Sequence, residues 1–281
     1  MNLNFAQTAA FTARAKSLGN WLLSGVMVAA LALAAATPGF AESGVARVAI
    51  IIDDLGYLKS EGRRALALPG ALTYAVLPHT PYGSSFAIEA HAQNKEVVLH
   101  LPMESKRGHA LGPGGITTHM TRAELVEVLI GDLDAIPHLS GVSNHMGSLL
   151  STNEKSVGWL MSAVKQRDQD LFFVDSRTTA GSVISRIARE TGVPSATRDI
   201  FLDHTLNAAA IRQQFELLIA HAKRHGSALG IAHPRTETLV ILERLLPTLH
   251  SYGVELVPVS RLIALRLREV ALTSDADTDS L

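Results

Sequence analysis

Val48-Ala49-Ile50-Ile51-Ile52-Asp53-Asp54-Leu55-Gly56 sets two adjacent carboxylates at the end of an unbroken apolar run. The run reads as the first strand of a chain that alternates strands with helices. Placing two carboxylates at its buried end is costly unless a cation, hydrogen bonds or a proton offsets their repulsion. The carboxyl end of a strand is also where α/β folds gather ligands and chemistry. The same grammar recurs downstream. His100, Asn144-His145, Asp175, Asp203-His204 and His233 each follow a short apolar run. That recurrence points to an enzyme, and to one that uses a metal.

Apolar segments at 47–52, 72–77, 96–101, 141–144, 171–174, 196–201, 228–232 and 254–258 predict strands. Helical stretches at 84–93, 121–136, 153–167, 182–191, 207–225 and 237–249 lie between them. Thr121-Arg122-Ala123-Glu124 is a capping box, and Gly192, Gly226 and Gly253 stand where C-caps belong. Strand and helix alternating about seven times argues for an α/β fold with a parallel sheet. The length without an internal split favours a (β/α) barrel of about seven strands over a doubly wound sheet. The segment 108–119, with Gly112-Pro113-Gly114-Gly115, interrupts the rhythm and fits either a loop over a cleft or a plain surface insertion. It lacks the Gly-Lys-Ser/Thr of a phosphate loop.

The net charge of the 281 residues is -1, which gives no electrostatic case for nucleic acid as a partner. Aromatics make up only 5%, so Ala, Leu, Ile and Val must build the core. Arg14 and Lys16, the apolar run 21–36 and the small residues up to Ala41 read as a signal peptide cleaved after Ala41, or as a retained membrane anchor. Either reading exports the remainder, in a bacterium to the periplasm; membrane association follows only if the segment is retained. With no cysteine, the exported domain has neither disulfides nor thiolate ligands. The expected organisation is 1–41 leader or anchor, 42–268 barrel, and 269–281 a polar, frayed tail.

Of the two leading carboxylates, one can ligate a metal while the other takes a proton from water. His100 and His145 offer neutral imidazoles to zinc or a similar ion. Glu104 lies beyond Pro102 and suits a fourth ligand, an acceptor for a ligand's N–H, or a lock on the loop. Asn144 can orient substrate. Asp175, Arg177, Asp203 and His204 are candidates for the wall of the site, where carboxylates orient imidazoles and an Arg holds a carboxylate. An Arg198–Asp199 ion pair competes as a purely structural use. His233, arriving from the side of the barrel opposite the Asp pair, suits a general acid that protonates a leaving amine or alcohol.

From Val48 to Ile263 the chain resembles the divergent polysaccharide deacetylases, relatives of the NodB-like carbohydrate esterases with a distorted (β/α) barrel. The segments 50–56, 100–104, 144–148, 173–176 and 231–234 carry the resemblance together. It implies Asp53 as catalytic base, Asp54 as first metal ligand and His233 as general acid. The parent family takes two further ligands from histidines after the third strand. This chain offers His100 and then Glu104 there, so His145 from the next strand is expected to complete the set, with Glu104 in reserve. The implied cofactor is a divalent metal, zinc foremost. The implied activity is hydrolysis of an acetyl group from an N- or O-acetylated envelope polysaccharide such as a peptidoglycan-like glycan.

Two rivals differ in class. A catalytically lapsed barrel would act as a periplasmic glycan-binding or envelope-regulatory protein, and the altered ligand set motivates it. A glycan esterase would keep the metal and change the bond. Glycosidase chemistry needs carboxylates that flank the scissile bond, which adjacent Asp53 and Asp54 suit poorly.

Overall fold

The structure, a computed structural model, describes residues 45–278, with side chains to Leu272. The leader or anchor read at 1–41 lies outside the described residues. Among those residues, no helix is long and apolar enough to cross a membrane.

The elements follow as β1 (Ala46–Leu55), α1 (Lys59–Leu66), β2 (Thr73–Val76), α2 (Gly83–Ala92), β3 (Glu96–Met103), α3 (Arg122–Ala135), β4 (Leu139–Met146), α4 (Glu154–Arg167), β5 (Phe172–Asp175), α5 (Ile184–Thr191), β6 (Ser195–Thr197), β7 (Ile200–Phe201), α6 (Ala208–His225), β8 (Ser227–Ala232), α7 (Thr236–Leu245), β9 (Val254–Leu256) and α8 (Val259–Thr278). The helix starts obey local chemistry. Thr121 and Glu124 form the expected capping box, and Asn153 and Asn207 cap α4 and α6 through their side chains. The last helix runs on to Thr278, so the segment read as a frayed tail from 269 is helical that far.

The sheet runs β6-β5-β4-β3-β2-β1-β8-β7, with β9 beside the start of β1. All pairings are parallel. The single strand expected at 196–201 is divided between the two edges of the sheet: β6 pairs with β5, whereas β7 pairs with β8. Arg198 and Asp199 bridge them. The Arg198 N–H donates to the Asp175 carbonyl at 3.0 Å, and the Asp199 N–H donates to the Leu229 carbonyl at 2.9 Å. One segment thus stitches the curled sheet into a distorted barrel. With 195–201 taken as a single stave and β9 as an addition beside β1, the staves number about seven, as the sequence predicts.

Asp199 makes no ion pair with Arg198. Its Oδ2 accepts from the Leu229 N–H and from Arg266, each at 2.7 Å. Arg198 instead donates to the carbonyls of Ser176 and Arg177 and lies over the ring of Phe201.

The core has two layers. Along β1, Val48, Ile50 and Ile52 pack outward against the helices. Ala49 and Ile51 point inward, with Val98, Phe172, Val174, Leu229 and Ile231. Val257, Val259, Leu262 and Ile263, at and before the start of α8, join this inner cluster.

Asp132 is a polar exception in the outer layer. It is fully buried on α3, its Oδ1 lies 2.9 Å from His79 Nε2, and its Oδ2 has no hydrogen-bond partner. Burial pushes its carboxyl up to about 8. An acid whose pKa is higher folded than unfolded keeps its proton in the folded state while the unfolded chain loses it. Stability therefore falls as pH rises from about 4 toward about 8. Asp132→Asn should remove that slope and stabilise the fold at pH 8, as read by urea midpoints between pH 5 and 8. The seam makes a separate demand. Asp199→Ala leaves the Leu229 N–H and Arg266 without their acceptor and should cost about 1–3 kcal/mol in urea unfolding.

Candidate metal centre

The inward alternation that buries Ala49 and Ile51 continues to Asp53, and the same parity on β3 and β8 carries Val98 to His100 and Ile231 to His233. Asp54 has the opposite parity. Its backbone turns to φ +59°, and the β1–β2 register shifts between Ile52 and Leu55. This irregularity swings the second carboxylate back toward the mouth. Gly56 follows at φ +141°, and a Cβ there would collide with Thr80. The turn therefore requires glycine.

Three ligand atoms converge. His145 Nδ1 lies 2.9 Å from Asp54 Oδ1, His100 Nε2 lies 3.1 Å from the same oxygen, and the two nitrogens are 3.3 Å apart. A tetrahedral ion with bonds of about 2.0 Å holds its ligand atoms about 3.3 Å apart. Asp54 Oδ1 is buried without an aligned hydrogen bond, although both nitrogens stand within contact distance. A buried, orphaned carboxylate oxygen facing two imidazole nitrogens fits a divalent cation. His100 is fixed from behind, its Nδ1 lying 2.9 Å from Ser143 Oγ on the paired strand. That contact fixes the ring's orientation and leaves Nε2 facing Asp54.

The two adjacent carboxylates differ electrostatically. Burial raises the Asp53 carboxyl, and the nearby imidazoles of His100 and His233 only partly counter it. Burial also acts to raise Asp54, but contact with His100 and His145 outweighs it and holds this carboxyl far below the usual range. Asp54 is thus anionic, as a ligand must be, whereas Asp53 has a raised affinity for a proton. Asp53 Oδ1 is buried and unpartnered, and its Oδ2 lies 3.7 Å from His100 Nε2.

His233 does not arrive from the side of the barrel opposite the Asp pair, as expected from the sequence. It follows β8, which pairs directly with β1 through Ile52 and Ala232, and so stands beside the Asp pair with its Nε2 3.7 Å from Asp54 Oδ2. Its Nδ1 lies 2.9 Å from Asp203 Oδ1, and its backbone N–H donates to Asp203 Oδ2 at 2.8 Å. Thr238 Oγ1 donates to the same Oδ2 at 2.9 Å. Burial acts to lower the His233 pKa, but the Asp203 hydrogen bond and charge outweigh it, so the ring holds a proton more readily than a free imidazole. Asp203 is held low by the same bonds against its own burial.

Other candidates serve the frame. Glu104 Oε2 accepts from Thr118 N–H and Thr118 Oγ1, each at 2.7 Å, which makes Glu104 a lock on the loop after β3. Asn144 is buried. Its Oδ1 accepts from the Ser176 N–H and its Nδ2 donates to the Met146 carbonyl, tying the ends of β4 and β5 together. Asp175 accepts from the Arg177 N–H and Ser182 Oγ and so shapes the next loop. His204 is not brought to the cluster; it packs edge-on against Phe201 and lines a separate depression with Thr205 and Gln214.

Ser143, Thr238, Arg198 and Phe201 were not singled out in the sequence as parts of the site. Ser143 was accessible through strand parity and register. Thr238 and Phe201, whose ring centroid lies 5.3 Å from that of His233, depend on packing between elements distant in sequence.

The cluster opens into a cleft of about 360 Å³ lined by Asp54, His145, His233, Tyr57, Leu58 and Arg235. The loop after β3 passes close to one of these residues: a Cβ on Gly112 would lie 3.2 Å from the Tyr57 hydroxyl. No residue of 108–119 lines the cleft itself.

A family model described as divergent polysaccharide deacetylase matches residues 50–263. An uncharacterized protein of Haemophilus influenzae is 35% identical over 204 residues, 73% of this chain and 71% of that protein. The uncharacterized protein YibQ of Escherichia coli is 34% identical over 199 residues, 71% of this chain and 62% of its own length, so the match spans less than two thirds of that relative. The crystal structure of an uncharacterized protein from Agrobacterium tumefaciens superposes with a TM-score of 0.74 at 24% identity, covering 77% of this chain and 89% of that one. The peptidoglycan deacetylase PdaC of Bacillus subtilis shares the fold with a TM-score of 0.50 at 12% identity, over 84% of this chain and 98% of that one.

If the triad is a metal site, the purified chain should bind one zinc ion per molecule. Asp54→Ala and His100→Ala should each lose it, whereas Glu104→Gln should keep it. Metal analysis after dialysis reads all four proteins, and retention of zinc by either ligand variant would displace the site from these residues.

Proposed function

This chain belongs to the divergent polysaccharide deacetylase family, and on that footing we propose that it is a metal-dependent hydrolase that removes acetyl groups from an envelope polysaccharide. The observation that carries the proposal is the placement of Asp53 and His233 beside a convergent Asp54–His100–His145 triad. A divalent cation held by that triad, zinc foremost, would supply a Lewis acid that polarises the acetyl carbonyl and acidifies water.

The remaining work falls to side chains. Asp53, with its raised proton affinity, takes a proton from the attacking water. His233, kept protonated by Asp203, gives a proton to the departing nitrogen or oxygen as the acyl bond breaks and acetate leaves. Asp53 ends β1 and His233 follows the neighbouring β8, so base and acid flank Asp54 from paired strands. Ser143 and Asp203 hold their imidazoles in orientation and need not touch the substrate. The lapsed-barrel alternative was motivated by the altered ligand set, and the convergence of that set around Asp54 Oδ1 weighs for the hydrolase. The exported setting read from residues 1–41 belongs to the same proposal and supplies acetylated envelope glycans as the substrate class.

Acetate release from N- and O-acetylated oligosaccharides by the zinc-loaded chain tests the reading. Asp53→Asn and His233→Gln should each lower kcat about 10²- to 10⁴-fold, with zinc content and melting temperature retained. A wild-type protein that binds zinc and the glycan yet releases no acetate would overturn the hydrolase in favour of a glycan-binding role.

A further inference from the structure

The connections at the mouth carry more exposed cations than exposed carboxylates. Seven connections leave the carboxyl ends of β1–β5, β7 and β8, at 56–58, 77–82, 104–121, 147–153, 176–183, 202–207 and 233–235. They carry the cations Lys106, Arg107, Arg177 and Arg235, all exposed, against two carboxylates, Glu104 and Asp203. Both carboxylates are already held within the protein, Glu104 by Thr118 and Asp203 by His233 and Thr238. At the strand ends themselves Asp53 and Asp175 are buried and Asp54 has His100 and His145 against it, so it is the exposed charge of the connections that is positive.

Arg235 is the rim cation that reaches the cleft. It follows His233 by two residues and lines the same space as Asp54, His145 and His233. Among the described residues no carboxylate pairs with its guanidinium, in contrast to Arg64, Arg167, Arg186 and Arg266, each of which has one. Tyr57 and Leu58 are exposed on the same cleft and offer an apolar face of the kind on which a sugar ring packs. A planar guanidinium beside such a face is shaped for a carboxylate or phosphate group, which it holds through two parallel N–H bonds.

We propose that the cleft selects acetylated glycans that carry an anionic substituent near the reacting acetyl group, with Arg235 as the residue that determines this specificity. The proposal rests on the hydrolase reading above and narrows its substrate class. Lys106, Arg107 and Arg177 extend the attraction around the mouth and favour a chain with repeated negative charge. Arg235 reads the charge nearest the reaction. A carboxylate and a phosphate satisfy the same fork, and affinity for the two separates them.

The test is calorimetric titration of the full zinc-loaded chain at low salt with three ligands. These are the N-acetylglucosamine tetramer, the same tetramer carrying carboxymethyl groups, and the same tetramer carrying phosphates. At least one charged ligand should bind about tenfold more tightly than the neutral one, the order expected of a charge-assisted hydrogen-bonded contact. Arg235→Gln should reduce that preference to less than about threefold without changing zinc content. Arg224→Gln, the same charge change at the far end of α6, should leave the preference intact. Equal affinity for neutral and charged ligands, persistence of the preference in Arg235→Gln, or its equal loss in Arg224→Gln would each overturn the inference while leaving the hydrolase standing. Failure of all three ligands to bind would overturn both.

Discussion

Strand alternation governs both core and site. In a parallel strand each residue faces one side of the sheet and the next faces the other. In β1 this sends Val48, Ile50 and Ile52 to the helices and Ala49 and Ile51 to the interior. Continued past the apolar run, the inward series yields Asp53 on β1, His100 on β3 and His233 just after β8. The core pattern therefore aims the chemistry. A one-residue slip of any of these strands would exchange a reactive group for an aliphatic one.

Asp54 departs from that rule, and the departure makes the triad. A non-glycine residue at φ +59° is uncommon and carries a strain of order 1–3 kcal/mol, sustained only where the surroundings over-determine it. Gly56 just beyond it also takes positive φ and lets Thr80 approach closely. Regular alternation would have pointed Asp54 at the helices and left His100 and His145 facing a single carboxylate. The kink gives the mouth two carboxylates from one strand at the expense of local strain.

Much of this was legible in the sequence because it is local. The capping box at Thr121 and the strand ends follow from patterns within one element, and the carboxyl face of a parallel sheet puts His100 and His145 at one end. That His145 completes a set with His100 and Asp54 was expected only from the family resemblance. The division of 196–201 into β6 and β7 was not legible. Its cause is the pairing of one short segment with two edges contributed by residues far away in the chain. For the same reason the structural use weighed for Asp199 was an ion pair with the adjacent Arg198, whereas its partner is Arg266, 67 positions further on. Glu104 illustrates a different limit. Its spacing after His100 permitted ligation, and only the return of the chain at Ile116 and Thr118 made it a lock instead.

The site separates like groups by giving each a different neighbour. Asp53 and Asp54 are consecutive, yet two imidazole nitrogens lie against Asp54 Oδ1 whereas the closest approach to Asp53 is 3.7 Å. Burial raises both carboxyls, so contact decides which becomes the anion. The imidazoles divide in the same manner. His100 is backed by a hydroxyl, which fixes its orientation without adding charge. His233 is backed by a carboxylate, which favours the cation. Under the proposed mechanism the first ring would hold the metal and the second would carry the proton. The buried partners Ser143 and Asp203 thus give two imidazoles of one mouth different electrostatic settings.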